Sequence, residues 1–413
     1  MRLIKTSTSL SAFTLQEVSC RIYEDEGRVF LNKDDSPGER HLIEKAPSFY
    51  KKMDVDYGSI SQGFDRIMVD VTTRCNLHCS VCYRKLNSRE DVPLATLREF
   101  AAGCRGKIIS LCGGEPTMRD DLPEIIRSFG RRNAVFLITN GIKLADFDYA
   151  YKLKMSGLRY VSFSLSGFSE GTLGRINEAG LLSAKLKALG NLKRLKIKTV
   201  LAAVLIKGVN DKELKDIFDF CLDNRDFIYE LRVRAMAPLG AHLDYERMCI
   251  SQMLDTVSGE LGIDKGDILG EFELKREANV LFRREIFNIK SCTFDFHLKL
   301  RKNGFSPVWN KSFSVHPRAY HPLLRKASVF LRLMKVFGAA TVLRGALKKV
   351  FKIDFLPWIY PKNIFKVGLR SWPDINTIDL QENYRCRTGY WLDGTLVSFC
   401  RANIIRDGFK NDR

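Results

Sequence analysis

Between residues 64 and 238 the apolar positions follow two alternating patterns. Short β-branched and apolar runs at 66–72, 107–112, 134–139, 160–166, 197–206 and 229–235 read as strands. The segments between them, at 94–104, 121–131, 146–156, 171–189 and 211–223, repeat their apolar residues at helical spacing. Strands separated by helices predict parallel βα units and an α/β fold. Short, right-handed crossovers curl such a sheet into an open, partial (β/α)6 barrel of the TIM type, with its chemistry at the C-terminal strand ends.

The flanks follow other rules. Residues 1–62 read as a small β-rich N-terminal extension, with strands near 18–23 and 28–31 around a Glu26-Gly27-Arg28 turn. The barrel is assigned to 63–240. A C-terminal α+β extension follows, with helices and a strand pair at 292–302 in 241–320, basic amphipathic helices in 321–360, and a cysteine-containing tail in 361–413. No repeat or low-complexity tract interrupts this order.

Composition removes several function classes. The 413 residues are 45 % hydrophobic and 28 % charged, the balance of a globular protein and not of a disordered or fibrous one. No apolar run reaches the ~20 residues that a membrane-crossing helix needs. Residues 1–16 lack the apolar core of a secretory signal, so a cytoplasmic location is expected. Eleven cysteines in such a chain point to metal ligation or buried thiols and not to disulfides; Cys104, Cys112 and Cys221, inside apolar patterns, are expected in the core.

The net charge of +19 is local: 296–353 holds thirteen Lys and Arg and no Asp or Glu. Split near Gly338, 321–353 gives two amphipathic helices. Arg325, Lys326, Arg332 and Lys335 share one arc, and Arg344, Lys348, Lys349 and Lys352 another. This predicts peripheral contact with an anionic membrane at its inner face, the alternative being helices packed on the barrel with a solvated basic face. Basic and aromatic residues are not interleaved as a nucleic-acid groove requires.

The chemistry concentrates after the first strand. Cys75-Asn-Leu-His-Cys79-Ser-Val-Cys82 places three thiolates on one short loop, able to ligate three irons of a cubane and leave the fourth open. A structural zinc site would lack its fourth ligand. His78 on so tight a loop does not reach the same cubane and is expected to be solvated. The second strand ends in Cys112-Gly113-Gly114-Glu115-Pro116-Thr117. Two glycines there let the backbone approach a ligand, and the carboxylate can meet an ammonium group.

Asn140-Gly141 closes the third strand, and Ser162, Ser164 and Ser166 alternate along the fourth. Lys207-Gly208-Val209-Asn210 follows the fifth, and Arg232 and Arg234 lie on the sixth. Together with the two motifs, these residues resemble the radical S-adenosylmethionine (SAM) superfamily. The resemblance implies that Cys75, Cys79 and Cys82 hold a [4Fe-4S] cluster whose open iron is chelated by the amine and carboxylate of SAM. It implies that Gly113, Gly114, Glu115 and Pro116 meet the amine. Asn140, Ser164, Ser166, Asn210 and Arg234 would meet the ribose and carboxylate, and Val81 would pack near the adenine. The implied reaction is reductive cleavage of SAM to a 5′-deoxyadenosyl radical, which takes hydrogen from an unactivated C–H. The electron would come from a low-potential donor such as a ferredoxin or flavodoxin.

The tail carries a narrower resemblance. Asp379-Leu-Gln-Glu-Asn-Tyr-Arg-Cys386, Gly389-Tyr390, Asp393-Gly394, Phe399-Cys400 and Asn403 are similar to the C-terminus of a radical SAM group. That group includes archaeal tetraether-lipid synthase and the methylases that build methanopterin, and its members carry further metal centres. This implies an auxiliary [4Fe-4S] cluster on Cys386 and Cys400, with Cys292 as third ligand and Cys249 a weaker fourth; the alternative is a pair of opposed core thiols. The N-terminal hairpin also resembles theirs. Asp34-Asp35-Ser36-Pro37-Gly38, however, lacks the Cys and His of their metal knuckle, so no metal is expected there. The function expected is that of a radical SAM enzyme, an oxidoreductase forming C–C bonds or transferring methyl groups, on a lipid or other apolar substrate. The alternatives are a peptide-modifying radical SAM enzyme with an auxiliary cluster and a non-catalytic basic protein binding membrane or nucleic acid.

Overall fold

The computed structural model describes the backbone of 2–10, 17–25, 28–33 and 41–45. It further describes 64–84, 90–130, 132–237, 248–281, 292–301, 304–309, 322–337, 363–372, 386–392 and 394–403. Strands β1 (Arg2–Leu10), β2 (Glu17–Asp25), β3 (Arg28–Lys33) and β4 (His41–Lys45) form an antiparallel sheet in sequence order.

The larger sheet is built on the expected six parallel strands. These are β5 (Arg66–Thr72), β6 (Ile108–Gly113), β7 (Ala134–Thr139), β8 (Tyr160–Ser164), β9 (Lys198–Leu205) and β10 (Ile228–Ala235). Helices α1 (Leu94–Gly103), α2 (Leu122–Gly130), α3 (Phe147–Met155), α4 (Glu170–Arg175), α5 (Leu182–Arg194) and α6 (Leu214–Asp223) lie between them. After β10 come α7 (Ile250–Leu261), α8 (Lys265–Leu281), β11 (Thr293–Arg301), β12 (Gly304–Pro307), α9 (Pro322–Phe337), β13 (Ile364–Arg370), β14 (Thr388–Leu392), β15 (Thr395–Ser398) and α10 (Phe399–Asn403).

The sheet is wider than the sequence pattern predicts. β13 adds parallel to β10 at one edge and β14 adds parallel to β5 at the other. Beyond them, β11 with β12 and β15 continue antiparallel, in the order β12-β11-β13-β10-β9-β8-β7-β6-β5-β14-β15. The two ends do not pair, so the barrel stays open.

Each strand alternates in the period-2 sense. Ile67, Val69 and Val71 of β5 and Ile109 and Leu111 of β6 are buried in one core with Leu97 and Phe100 of α1 and Ile125 and Phe129 of α2. The other face carries Arg66 and Asp70, Ser110 and Cys112, Ser162 and Ser164, then Glu230, Arg232 and Arg234. A parallel strand buried among apolar layers on both faces would be apolar throughout. The inner face thus carries polar groups on β5, β6, β8 and β10 beside an apolar cluster that includes Met68, Cys112, Tyr390 and Phe399.

Helix α9, the described part of the basic segment, rests on protein. Val329, Leu333, Val336 and Phe337 pack with Leu274 and Ala278 of α8, and Arg332 pairs with Glu277 at 3.0 Å. The helix thus packs on the side that carries Arg332, a member of the expected basic arc, while Leu331 and Lys335 stay exposed. The second expected helix, with Arg344, Lys348, Lys349 and Lys352, lies outside the described residues. Among those described, no helix is long and apolar enough to cross a membrane.

Candidate active site

The end of β6 is sewn to the chain leaving β5. Gly114 N–H donates to Thr72 O at 2.8 Å and Glu115 N–H to Arg74 O at 2.8 Å. A Cβ on Gly113, whose φ is +129°, would lie 2.1 Å from Thr72 O, and one on Gly114 2.2 Å from Arg74 O. The glycines thus serve a contact between two chain segments, where the sequence assigns them to a ligand. Asp91 fixes the same stretch, accepting from Arg74 at 2.9 and 2.6 Å and from the Thr72 hydroxyl at 2.5 Å. Burial works against its charge, but these hydrogen bonds hold the carboxyl below the ordinary range.

Glu115 is buried. Its Oε1 accepts from Thr117 N–H at 3.0 Å and from the Thr117 and Thr139 hydroxyls, both at 2.7 Å; Oε2 accepts from Asn140 N–H at 2.7 Å. Desolvation raises its pKa in spite of these donors. A carboxylate offers about four lone-pair sites, so one on Oε2 is left for an outside donor such as an amine. Pro116 opens the buried 3-10 turn that carries Thr117.

The cysteine loop is docked on the chain after α4. Ser80 Oγ donates to Arg175 O at 2.8 Å, Ser80 N–H to Ile176 O at 3.3 Å, and Asn177 Nδ2 to His78 O at 3.1 Å. The Cys79 thiol donates to Glu178 at 3.4 Å, and Glu178 is paired with the fully buried Lys185, which also donates to Ser164 O at 3.0 Å. Burial pushes the Cys75 thiol up to about 11, and burial with the neighbouring Glu178 pushes Cys79 higher still. Thiols so placed ionise against a cation, and metal binding inverts that balance.

The donor set fits an iron–sulfur cluster: three half-buried soft ligands on one loop, with Cys82 close enough to act electrostatically on both others. Among the described residues no three His, Cys, Asp or Glu side chains are gathered beforehand, so the metal would draw the loop together. His78 is exposed, as expected.

Other expected SAM contacts divide. Asn140 Nδ2 donates to Asn76 at 2.8 Å, joining the end of β7 to the cysteine loop. Val81 packs with Leu173, Ile176 and Ile206. Ser164 lines the inner face of β8, and Ser166 Oγ accepts from Val204 N–H at 3.1 Å. Arg234 lies over Trp372, 5.3 Å from the ring centre, with its buried Nε unpartnered among the described residues. Asn210 is a correction. Its Nδ2 donates to Ser166 O and Val204 O, both at 2.7 Å, and its Oδ1 accepts from Ile206 N–H at 2.8 Å. Both donors of this buried amide are spent on backbone, so it ties β8 to β9 and positions them.

Sequence reasoning missed Arg84, two residues beyond Cys82. It pairs with Asp70 and donates to the Tyr390 hydroxyl at 2.9 Å, while the Cys112 thiol donates to Asp70 at 3.3 Å. The period of two along β5 places Asp70 on the inner face, a carboxylate that needs a cation, and this is the signal that points to Arg84.

The tail cysteines are not all together. Cys386 precedes Thr388, which pairs with Arg66 at the start of β5. Cys292 precedes Thr293, which pairs with Arg370 at the far end of β13. They enter opposite ends of the parallel sheet. The β14–β15 hairpin, with Gly389 opposite Ser398, brings Cys400 back toward the end where Cys386 enters. Cys249 is buried at the start of α7, its sulfur 3.0 Å from Ser251 Oγ.

Residues 69–221 match the family model described as the Radical SAM superfamily. The chain is similar to 7,8-dihydro-6-hydroxymethylpterin dimethyltransferase of Methanocaldococcus jannaschii, 30 % identical over 261 residues covering 54 % of this chain and 51 % of that protein. It is also similar to GTP 3′,8-cyclase of Lactiplantibacillus plantarum, 32 % identical over 183 residues covering 41 % and 54 %. It thus spans about half the length of these curated relatives. A solved structure, native anSMEcpe with bound AdoMet, aligns over 53 % of this chain and 67 % of that one, with 18 % identity and a TM-score of 0.41.

Proposed function

We propose, from the premise that residues 69–221 form a radical SAM domain, that this chain is an enzyme holding a [4Fe-4S] cluster on Cys75, Cys79 and Cys82 with SAM beside it. Bound there, the two would supply reductive cleavage of SAM to a 5′-deoxyadenosyl radical and hydrogen abstraction from a C–H bond. The observation that carries the reading is the suture between the glycine turn and the chain entering the cysteine loop: Glu115 N–H bonds to Arg74 O, next to Cys75, at the C-terminal ends of β5 and β6. Glu115 Oε2 would accept from the SAM amine, and Ser164 and Arg234 face the interior where its polar end would lie. Half-buried cysteines on a loop with exposed neighbours suit electron entry from a ferredoxin or flavodoxin. The dimethyltransferase relative and the tail motif favour methyl transfer or C–C bond formation, on a lipid or other apolar substrate.

Anaerobically reconstituted protein should form 5′-deoxyadenosine from SAM once reduced by dithionite; none formed by protein with a full iron complement would overturn the proposal. An auxiliary cluster on Cys386 and Cys400 would raise the iron content from about four to about eight per chain. Glu115→Gln should keep the iron and weaken SAM binding by roughly ten- to a hundredfold, as an ammonium loses a charge-assisted bond of about 1.5–3 kcal/mol. Equilibrium dialysis with labelled SAM checks this.

A further inference from the structure

On the inner face, cations outnumber carboxylates. Glu230 of β10 is shared by Arg232 at 2.8 Å, Lys366 at 3.4 Å and Arg370 at 3.9 Å. Asp295 of β11 is held by Lys366 at 2.8 Å and by Arg370. Burial opposes the charge of Glu230, yet these cations bring its pKa down to about 2, and Asp295 is likewise held well below the usual range. Both are therefore ionised at neutral pH.

Two further arginines face the same space without a direct salt bridge among the described residues, Arg66 feeling only the longer-range attraction of Glu230. Arg66 donates to Ser110 Oγ at 2.9 Å and lies 4.8 Å from the centre of the Phe136 ring. Burial, with Arg232 nearby, lowers its pKa to about 10. Arg234 has only the Trp372 ring and a buried Nε without a partner. Apart from the balanced Arg84–Asp70 pair, five cations thus meet two carboxylates. Gathering like charges away from water is costly unless an anion joins them, and low-dielectric walls focus their field. Arg232 is flanked across the sheet by Ala202 and Gly368, and the Asp295 and Arg370 side chains lie against Gly368.

We propose that the substrate of this enzyme carries a phosphate or diphosphate group, and that Arg66 and Arg232 bind it inside the barrel. The inference rests on the proposed function for its reaction and on the cation excess for its chemistry. Even with Arg234 given to the carboxylate of SAM, two positive charges remain over the two acids. That matches the charge of about −1.5 to −2 on a phosphate monoester better than the single charge of a carboxylate. Guanidinium forks also pair with phosphate oxygens bidentately.

The test is calorimetric titration of the full, reconstituted chain at fixed ionic strength. The probes are inorganic pyrophosphate and, separately, monomeric dihexanoylphosphatidate. Saturable binding near one per chain is expected for at least one of them. Arg66→Met should weaken it at least tenfold and Arg232→Lys severalfold, while Arg66→Lys falls between wild type and Arg66→Met. Lys187→Met, an exposed residue on α5, should change nothing. Tighter binding of the phosphatidate assigns a lipid headgroup; tighter pyrophosphate assigns a soluble phosphate ester. Arg66 has no carboxylate partner, so its loss should not unfold the chain, and a thermal melt confirms that. No saturation by either probe, or equal affinity in wild type and Arg66→Met, overturns the proposal. Formation of 5′-deoxyadenosine in that case would leave the radical SAM activity standing without this substrate class.

Discussion

Replacing Cys75, Cys79 and Cys82 together with Ala is expected to remove the iron that supports SAM cleavage and abolish 5′-deoxyadenosine formation, with the fold unchanged. The loop does not depend on its thiols for position. Ser80 is held by the chain after α4, Asn177 grips His78, and Arg84 anchors the exit to Asp70 and Tyr390. The thiols contribute weak contacts: Cys79 donates to Glu178 and Cys75 accepts from Leu77 N–H, both at 3.4 Å. Far-UV circular dichroism and the melting midpoint should therefore match wild type. Product analysis by liquid chromatography decides the matter: 5′-deoxyadenosine at wild-type levels would remove the cluster loop from the mechanism.

The largest expected effect on stability comes from Lys185→Met. Lys185 is fully buried and paired with Glu178, itself buried, and its ammonium also satisfies Ser164 O. Removing one member of a buried pair strands the other, at a cost of about 3–5 kcal/mol. Replacing both members at once should be far milder, because two apolar side chains of similar volume need no desolvation repaid. Urea denaturation of Lys185→Met and of the double variant Lys185→Met/Glu178→Leu measures the difference. A loss below about 1 kcal/mol in the single variant would show that the pair is not part of the framework beneath the cysteine loop.

These two expectations differ in how far the sequence foretold them. The cysteines, the glycine turn and the six strands were readable because each is local: a spacing, a strand end, a period of two. Cys104, Cys112 and Cys221 fell into the core as their apolar surroundings indicated. Glu178, in the connection after α4, and Lys185, on α5, were not singled out, since one charged residue resembles another until tertiary contacts bury it. Asn210 was read as a ligand contact because a polar residue after a strand serves equally to bind backbone or cofactor. The basic helix shows the same ambiguity. Its expected arc is displaced: Arg332, expected among the solvated cations, lies on the packed side against Glu277, and Leu331 is exposed, because periodicity does not say which face α8 covers. β13 and β14 escaped notice for a further reason. Their partners lie far away in sequence, and such distant pairing leaves no local trace.

The two tail strands also bear on how the molecule comes together. Without them, β5 and β10 would be bare edges, open to pairing with other chains. β14 reaches its neighbour only after most of the polypeptide has been made, and the bond from Arg84 to Tyr390 spans 306 positions. Such distant closure is slow, since loop entropy is spent before the contact repays it. During synthesis the nascent barrel would therefore wait half-finished, its cysteine loop lacking the Tyr390 anchor, until the last staves arrive.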